Sequence, residues 1–255
     1  MNRLLFLGTS GGHYVPTDSG EFFRRDPAAL VNSELMIDCG MHVFDYPGYI
    51  ADPHFYNKVT DIILTHEHYD HFNRDSVLRL AETNKLRIGC DKQIMHTIGA
   101  HPNIEYILLT PFVTVKMGNY EITPLLANHH IITNGDSCAF HFIVKTADKK
   151  RLFYGLDGAW FLLPSWEIMK AHKFDVMVFD CTVGDKSDWR LFEHNTIPML
   201  RMMVEGVRTE NMLTEGAVLV ASHMAKKLHA TPEETEKILQ EFGMTGAYDG
   251  LTIQF

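Results

Sequence analysis

Thr65-His66-Glu67-His68-Tyr69-Asp70-His71 sets four ligand-capable side chains, His66, His68, Asp70 and His71, within six positions. Imidazole nitrogen and carboxylate oxygen are donors that suit zinc and related first-row metals. Ile62-Ile63-Leu64 before this stretch reads as a short strand, and residues 75 to 81 after it have helical spacing behind a plausible cap. The cluster is therefore expected on a strand-to-helix loop, which can aim several side chains at one place.

Outward from the loop the same setting recurs. Asp38 follows Leu35-Met36-Ile37, His129 follows Leu125-Leu126-Ala127-Asn128, Asp157 follows Phe153-Tyr154-Gly155-Leu156, and His223 follows Val218-Leu219-Val220-Ala221-Ser222. Taken singly, each is an ordinary turn or cap residue. Together, at the ends of apolar runs, they point to one shared cleft, because strand ends are where a rigid scaffold presents site residues. Further strands are expected at 3–7, 28–31, 34–37, 86–89, 104–109, 113–116, 120–126, 139–145, 152–155 and 176–179. Helices are expected near 91–98, 166–171, 196–205 and 231–242. The last begins with Thr231-Pro232-Glu233-Glu234, a strong N-terminal signature, and ends at Gly243. The polar stretch from Asp18 to Asp26 reads as an exposed loop.

The 255 residues, 45% hydrophobic and 22% charged, can bury a substantial core, and nothing marks a linker or a repeat, so one domain over 1–255 is expected. With 23 Lys+Arg against 32 Asp+Glu, the net charge of −9 disfavours a broad basic face for duplex nucleic acid. The four cysteines, Cys39, Cys90, Cys138 and Cys181, stand singly and fit a reducing compartment. The four apolar residues ahead of the first glycine turn are too few for a secretory leader or a membrane span, so a cytoplasmic protein without membrane contact is expected. Most remaining histidines read as surface or packing residues. His130 adjoins His129 and is a candidate to exchange roles with it.

The ordered set Met36-Ile37-Asp38-Cys39-Gly40, Thr65 to His71, Asn128-His129, Leu156-Asp157-Gly158 and Ser222-His223 resembles the metallo-β-lactamase superfamily over nearly the whole chain. The resemblance implies an α/β layered fold, the αββα sandwich, with two zinc ions at the open edge of its sheets, manganese or iron(II) being the alternatives. It implies that His66, His68 and His129 hold one ion and Asp70, His71 and His223 the other, with Asp157 bridging. It makes Asp38 the residue that orients the loop, since a ligating histidine needs its other ring nitrogen held.

Within the superfamily, Leu5-Phe6-Leu7-Gly8-Thr9-Ser10-Gly11-Gly12 and Ala247-Tyr248-Asp249-Gly250-Leu251 are similar to the branch of the cyclic phosphodiesterase of carbon-phosphorus lyase pathways and RNase Z. In that branch an acidic strand-end residue and a downstream histidine assist catalysis, and Phe179-Asp180-Cys181-Thr182 and Glu193-His194-Asn195 resemble them. By this analogy His194 is the general acid, Asp180 holds its imidazole, and Asp70 joins them in the catalytic set. The alternative for His194 is a cap on the helix starting at Thr196.

The implied reaction is hydrolysis of a small or cyclic phosphodiester, with two metals roughly 3.5 to 4 Å apart activating water. Alternatives are a thioester or lactam carbonyl as substrate, an RNA-processing endonuclease, and a non-catalytic metal-binding module. The motif departs from the family at Phe72-Asn73-Arg74 and at Gly158-Ala159-Trp160, which bears on the substrate. No basic Gly/Pro-rich insertion resembles the arm with which RNase Z grips tRNA, which disfavours a large nucleic acid. A homodimer is implied by resemblance alone. Trp160, Phe161, Trp166 and Phe112 are candidates for a pocket wall, and Arg24-Arg25 for a phosphate contact.

Overall fold

A computed structural model describes residues 1–12, 24–131, 137–186 and 188–255. Strands are β1 (Arg3–Gly8), β2 (Ala28–Val31), β3 (Leu35–Ile37), β4 (Asp61–Ile63), β5 (Leu86–Cys90), β6 (Ile104–Leu108), β7 (Val115–Met117), β8 (Tyr120–Leu126), β9 (Phe140–Lys145), β10 (Arg151–Gly155), β11 (Phe174–Asp180), β12 (Leu213–Ser222), β13 (Thr245–Gly246) and β14 (Thr252–Gln254). Helices are α1 (Pro47–Ala51), α2 (Arg74–Thr83), α3 (Lys92–Ile98), α4 (Leu163–Met169), α5 (Ile197–Thr209) and α6 (Pro232–Gln240).

The strands form two seven-stranded sheets, ordered β14-β1-β2-β3-β4-β5-β6 and β13-β12-β11-β10-β9-β8-β7. Alternation explains the layering, because successive strand residues point to opposite faces. Leu4, Phe6, Val31 and Ile37 of the first sheet meet Phe142, Val144, Tyr154 and Val178 of the second in the core between them. Leu5, Leu30 and Ile62 face the other way, onto Val77 and Leu80 of α2 and Ile94 of α3. Phe153, Met177 and Leu219 do the same toward Leu200 and Val204 of α5 and Leu239 of α6. The outcome is an αββα sandwich.

Strand direction puts one edge of this sandwich to use. β3, β4, β5 and β6 run parallel, as do β10, β11, β12 and β13. β8 and β10 both run antiparallel to β9, so β8 runs with β10. The carboxyl ends of β3, β4, β8, β10, β11 and β12 are the crevice where such sheets present ligand-contacting loops.

Three short elements were not expected: α1, with five residues, and the edge strands β13 and β14, with two and three. β12 also begins earlier than its apolar run, since Leu213 to Ala217 carry mixed polarity. The expected 18–26 loop lies mostly outside the described residues. Its described end is not exposed, because Asp26 is buried and its Oδ2 lies 2.7 Å from His42 Nδ1.

Candidate metal centre

Three of the residues that follow strands share an unusual backbone. Asp38, Asp157 and His223 have φ of 63°, 52° and 60°. Non-glycine residues are uncommon in this left-handed region, and strain of this kind collects at functional sites. Each of the three sits one or two residues past the end of a strand.

There the side chains from the two sheets meet. Four sets of groups each place their ligand atoms within 4.8 Å: His66, His68 and His129; Asp70, His71 and His223; His66, His71 and Asp157; and Asp157, Asp180, His194 and His223. The first two sets are the two trios assigned by resemblance. Asp157 Oδ2 lies 2.5 Å from His71 Nε2 and 3.4 Å from His66 Nε2, between the trios. His130, the suggested substitute for His129, is exposed and belongs to none of these sets.

In the first trio His129 Nε2 faces His68 Nδ1 at 3.1 Å, and several polar atoms of the cluster have no hydrogen-bond partner. His66 Nε2, His129 Nδ1 and Asp157 Oδ1 are buried without a hydrogen-bond partner, which is costly for polar atoms unless something else satisfies them. The Nε2 atoms of His71 and His223 face each other at 3.2 Å. His71 Nδ1 lies 2.8 Å from Asp38 Oδ2, an arrangement that keeps the proton on Nδ1 and leaves the Nε2 lone pair pointing into the cluster. Asp38 Oδ1 accepts from the Thr65 amide at 2.8 Å and its hydroxyl at 2.9 Å, so one carboxylate fixes both the start of the loop and its last histidine. This set of nitrogen and carboxylate donors, with its orphaned atoms, fits a metal centre.

Electrostatics divide the histidines. Burial, followed by neighbouring imidazoles, holds His66 well below the ordinary range, and burial also lowers His68 and His129, which favours the neutral form of these three rings. Burial pulls His71 and His223 down as well, but nearby carboxylates outweigh it: Asp157, Asp38 and Asp70 raise His71 well above the usual range, and Asp157, Asp180 and Asp70 raise His223 to about 10. Burial would raise Asp157; His223, His71 and His129 instead hold it well below the carboxylate range.

Asp180 differs from the other carboxylates in being saturated. It accepts from the amides of Asp157 at 3.1 Å, Thr182 at 3.0 Å and Asn195 at 3.0 Å, from the Thr182 hydroxyl at 3.0 Å, and it lies 2.9 Å from His194 Nδ1. It braces the Asp157 turn and the His194 ring. The helix cap next door belongs to Thr196, whose side chain accepts from the Met199 amide; His194 is not the cap. Burial opposes protonation of His194, but Asp180 prevails and raises it above the ordinary imidazole range.

Sequence reasoning missed two neighbours. Thr182 Oγ1 lies 2.6 Å from His223 Nδ1 and 3.1 Å from His194 Nδ1, linking a candidate ligand to the candidate acid. Asn195 donates to the Gly158 carbonyl at 2.9 Å and accepts from the Trp160 amide at 2.8 Å, tying the Asp157 turn to the His194 segment. Two other suggestions fail. Arg24 is turned to Thr9 and the Ala247 carbonyl, and Arg25 to Asp249 and the Asp45 carbonyl, so neither is a phosphate contact at this centre. Phe161 and Trp166 stack at 5.8 Å in a separate apolar cleft with Trp160, and Phe112 packs against the outer core of the second sheet.

The family model described as the β-lactamase superfamily domain matches residues 34–248. The chain belongs to the metallo-β-lactamase superfamily. Solved structures with this superfamily fold include YhfI from Bacillus subtilis, at 14% identity and TM-score 0.74, covering 99% of this chain and 98% of that one. Zn(2+)-bound PqqB from Methylobacterium extorquens is 14% identical with TM-score 0.72, over 99% and 100% of the two chains. Unliganded yeast PDE1 is 12% identical with TM-score 0.68, over 100% and 99%. No curated protein matches the sequence.

Proposed function

We propose that this superfamily member is a dinuclear-metal-dependent hydrolase of a small phosphodiester. His66, His68 and His129 would hold one ion, Asp70, His71 and His223 the other, and Asp157 would reach both; zinc suits the donors, with manganese or iron(II) as alternatives. Two such ions, when bound, supply a water acidified to a pKa of about 7 and offset negative charge developing at phosphorus.

The observation that carries the reading is the His194–Asp180 pair beside this donor cluster. Asp180 holds His194 through Nδ1, which leaves Nε2 as the nitrogen able to hand on a proton, and the Asp180 carboxylate favours the protonated ring. A phosphodiester needs that proton at the departing ester oxygen, whose alkoxide is a poor leaving group. His194 and the donor cluster line one open cavity of about 490 Å³, a size that suits a small molecule. The four cysteines are free thiols, which supports a reducing, cytoplasmic setting, and among the described residues no helix is long and apolar enough to cross a membrane.

The test is a screen of the metal-loaded protein against cyclic and linear phosphodiesters, thioesters and lactams, with metal stoichiometry measured in parallel. The expected result is phosphodiester turnover that disappears, together with bound metal, in His68→Ala. Turnover of thioesters or lactams without phosphodiester turnover overturns the assignment.

A further inference from the structure

The cavity over the donor cluster has a floor and a rim of different chemistry. The floor is histidine and carboxylate; the rim includes Tyr69, Trp189, Arg190 and Glu193. Trp189 leaves 69% of its surface exposed and Tyr69 49%, so two large aromatic side chains stand open at the mouth of the cavity that holds the donor cluster.

The backbone that carries Trp189 is hydrogen-bonded on both sides of it. It opens the 3₁₀ turn Trp189–Phe192, where Asp188 accepts from the Arg190 amide at 2.9 Å. The turn runs directly into the acid: the amides of Glu193 and His194 both donate to the Arg190 carbonyl, at 2.9 and 2.8 Å. The backbone turn that bears Trp189 thus leads straight into the candidate acid, and both residues line the same cavity.

Charge on the rim narrows the choice of ligand. Arg190 is the only lysine or arginine among the described residues lining the cavity, and Asp188 takes its Nε at 2.7 Å and its Nη2 at 2.9 Å. Glu193 adds a carboxylate. Nucleic-acid strands are gripped by unneutralised cations along their phosphates, and the described residues of this rim offer none. An aromatic base needs only a ring face.

Building on the hydrolase reading, we propose that Trp189 is the specificity residue of this site, stacking on a planar base carried by the leaving-group side of a single-phosphate ester, a nucleoside cyclic monophosphate. Hydrolysis balances without an oxidant or reductant. The water oxygen bonds to phosphorus, the P–O ester bond breaks, and the proton on His194 Nε2 passes to the departing oxygen, while the water's proton restores the acid. The product is a nucleoside monophosphate.

Wild type, Trp189→Leu and Trp189→Phe, all metal-loaded, are compared on 2′,3′-cyclic AMP, on glycerol 1,2-cyclic phosphate, which has no base, and on a linear dinucleotide carrying an extra phosphate. Trp189→Leu is expected to lower the ratio of kcat/KM for cyclic AMP over the glycerol ester by at least about fivefold, mainly through KM, and Trp189→Phe to recover most of it. In parallel, adenosine monophosphate is titrated into metal-free protein, with tryptophan quenching expected in wild type and lost in Trp189→Leu, which keeps Trp160 and Trp166. An unchanged ratio, or faster turnover of the dinucleotide than of cyclic AMP, overturns the proposal. If wild type hydrolyses no phosphodiester while the Trp189-dependent quenching persists, the stacking site stands and the phosphodiesterase reading falls.

Discussion

His194 is the residue whose chemistry can be isolated by substitution. Its Nδ1 is tied to Asp180, so His194→Gln removes the proton carried on Nε2 while Asp180 keeps its other four donors. General-acid catalysis contributes typically about 10²- to 10⁴-fold, so kcat should fall by that factor on an alkyl phosphodiester. The loss should be far smaller on a p-nitrophenyl ester, whose leaving group needs no proton; equal losses on both would remove His194 from this role. His141 makes a different prediction. It is buried with neither ring nitrogen hydrogen-bonded, and burial lowers its pKa to about 4. Below its ordinary value of about 6.5 the unfolded chain takes up a proton that the folded chain refuses, so stability is complete above 6.5 and is lost as pH falls toward 4. The loss approaches about 3 kcal/mol at pH 4. Denaturant unfolding of metal-free protein at pH 7 and pH 4.5 should show a shallower pH slope in His141→Leu than in wild type.

At the level of elements, strands hold the histidines in place and the turns leaving them set their aim. Gly40 shows how little room this leaves: a Cβ there would sit 2.2 Å from the Asp70 carbonyl oxygen. Gly40→Ala must push the 65–71 loop away from β3, and we expect a loss of about 1–3 kcal/mol in denaturant unfolding together with weaker metal binding in a chelator competition. Wild-type metal affinity in that variant would show that the loop tolerates the shift. This contact explains what the sequence could and could not disclose. Buried parallel strands such as β10 and β11 read as apolar runs; Asp157, two residues past β10, was found by position, whereas Asp180, the last residue of β11, came only from the family resemblance. Thr182 and Asn195 were not singled out, because a threonine or an asparagine in a loop is ordinary, and only the fold brings them to His223, His194 and Gly158. The two-residue β13 and three-residue β14 carry too few positions for a period to show. Arg24 and Arg25 looked like phosphate contacts because adjacent basic residues give no hint that Thr9, Ala247 and Asp249, far away in sequence, will claim them.

Across the whole molecule, the donor cluster joins the two sheets. His66, His68, Asp70 and His71 follow β4 in the first, and His129, Asp157 and His223 follow β8, β10 and β12 in the second. A ligand that binds only the folded state at 100 times its Kd stabilises it by about 2.7 kcal/mol. For a chain of this size that corresponds to a rise in Tm of about 5–10 °C, which calorimetry with and without zinc should record. Asp157→Ala should flatten the response; an undiminished shift in that variant would remove Asp157 from the binding set. The division of donors has a further consequence for the newly made chain. Residues up to β6 carry four of the seven donors, three imidazoles and one carboxylate. The other three donors come only with the second sheet, so a chain ending after β6 is expected to bind zinc far more weakly than the whole protein.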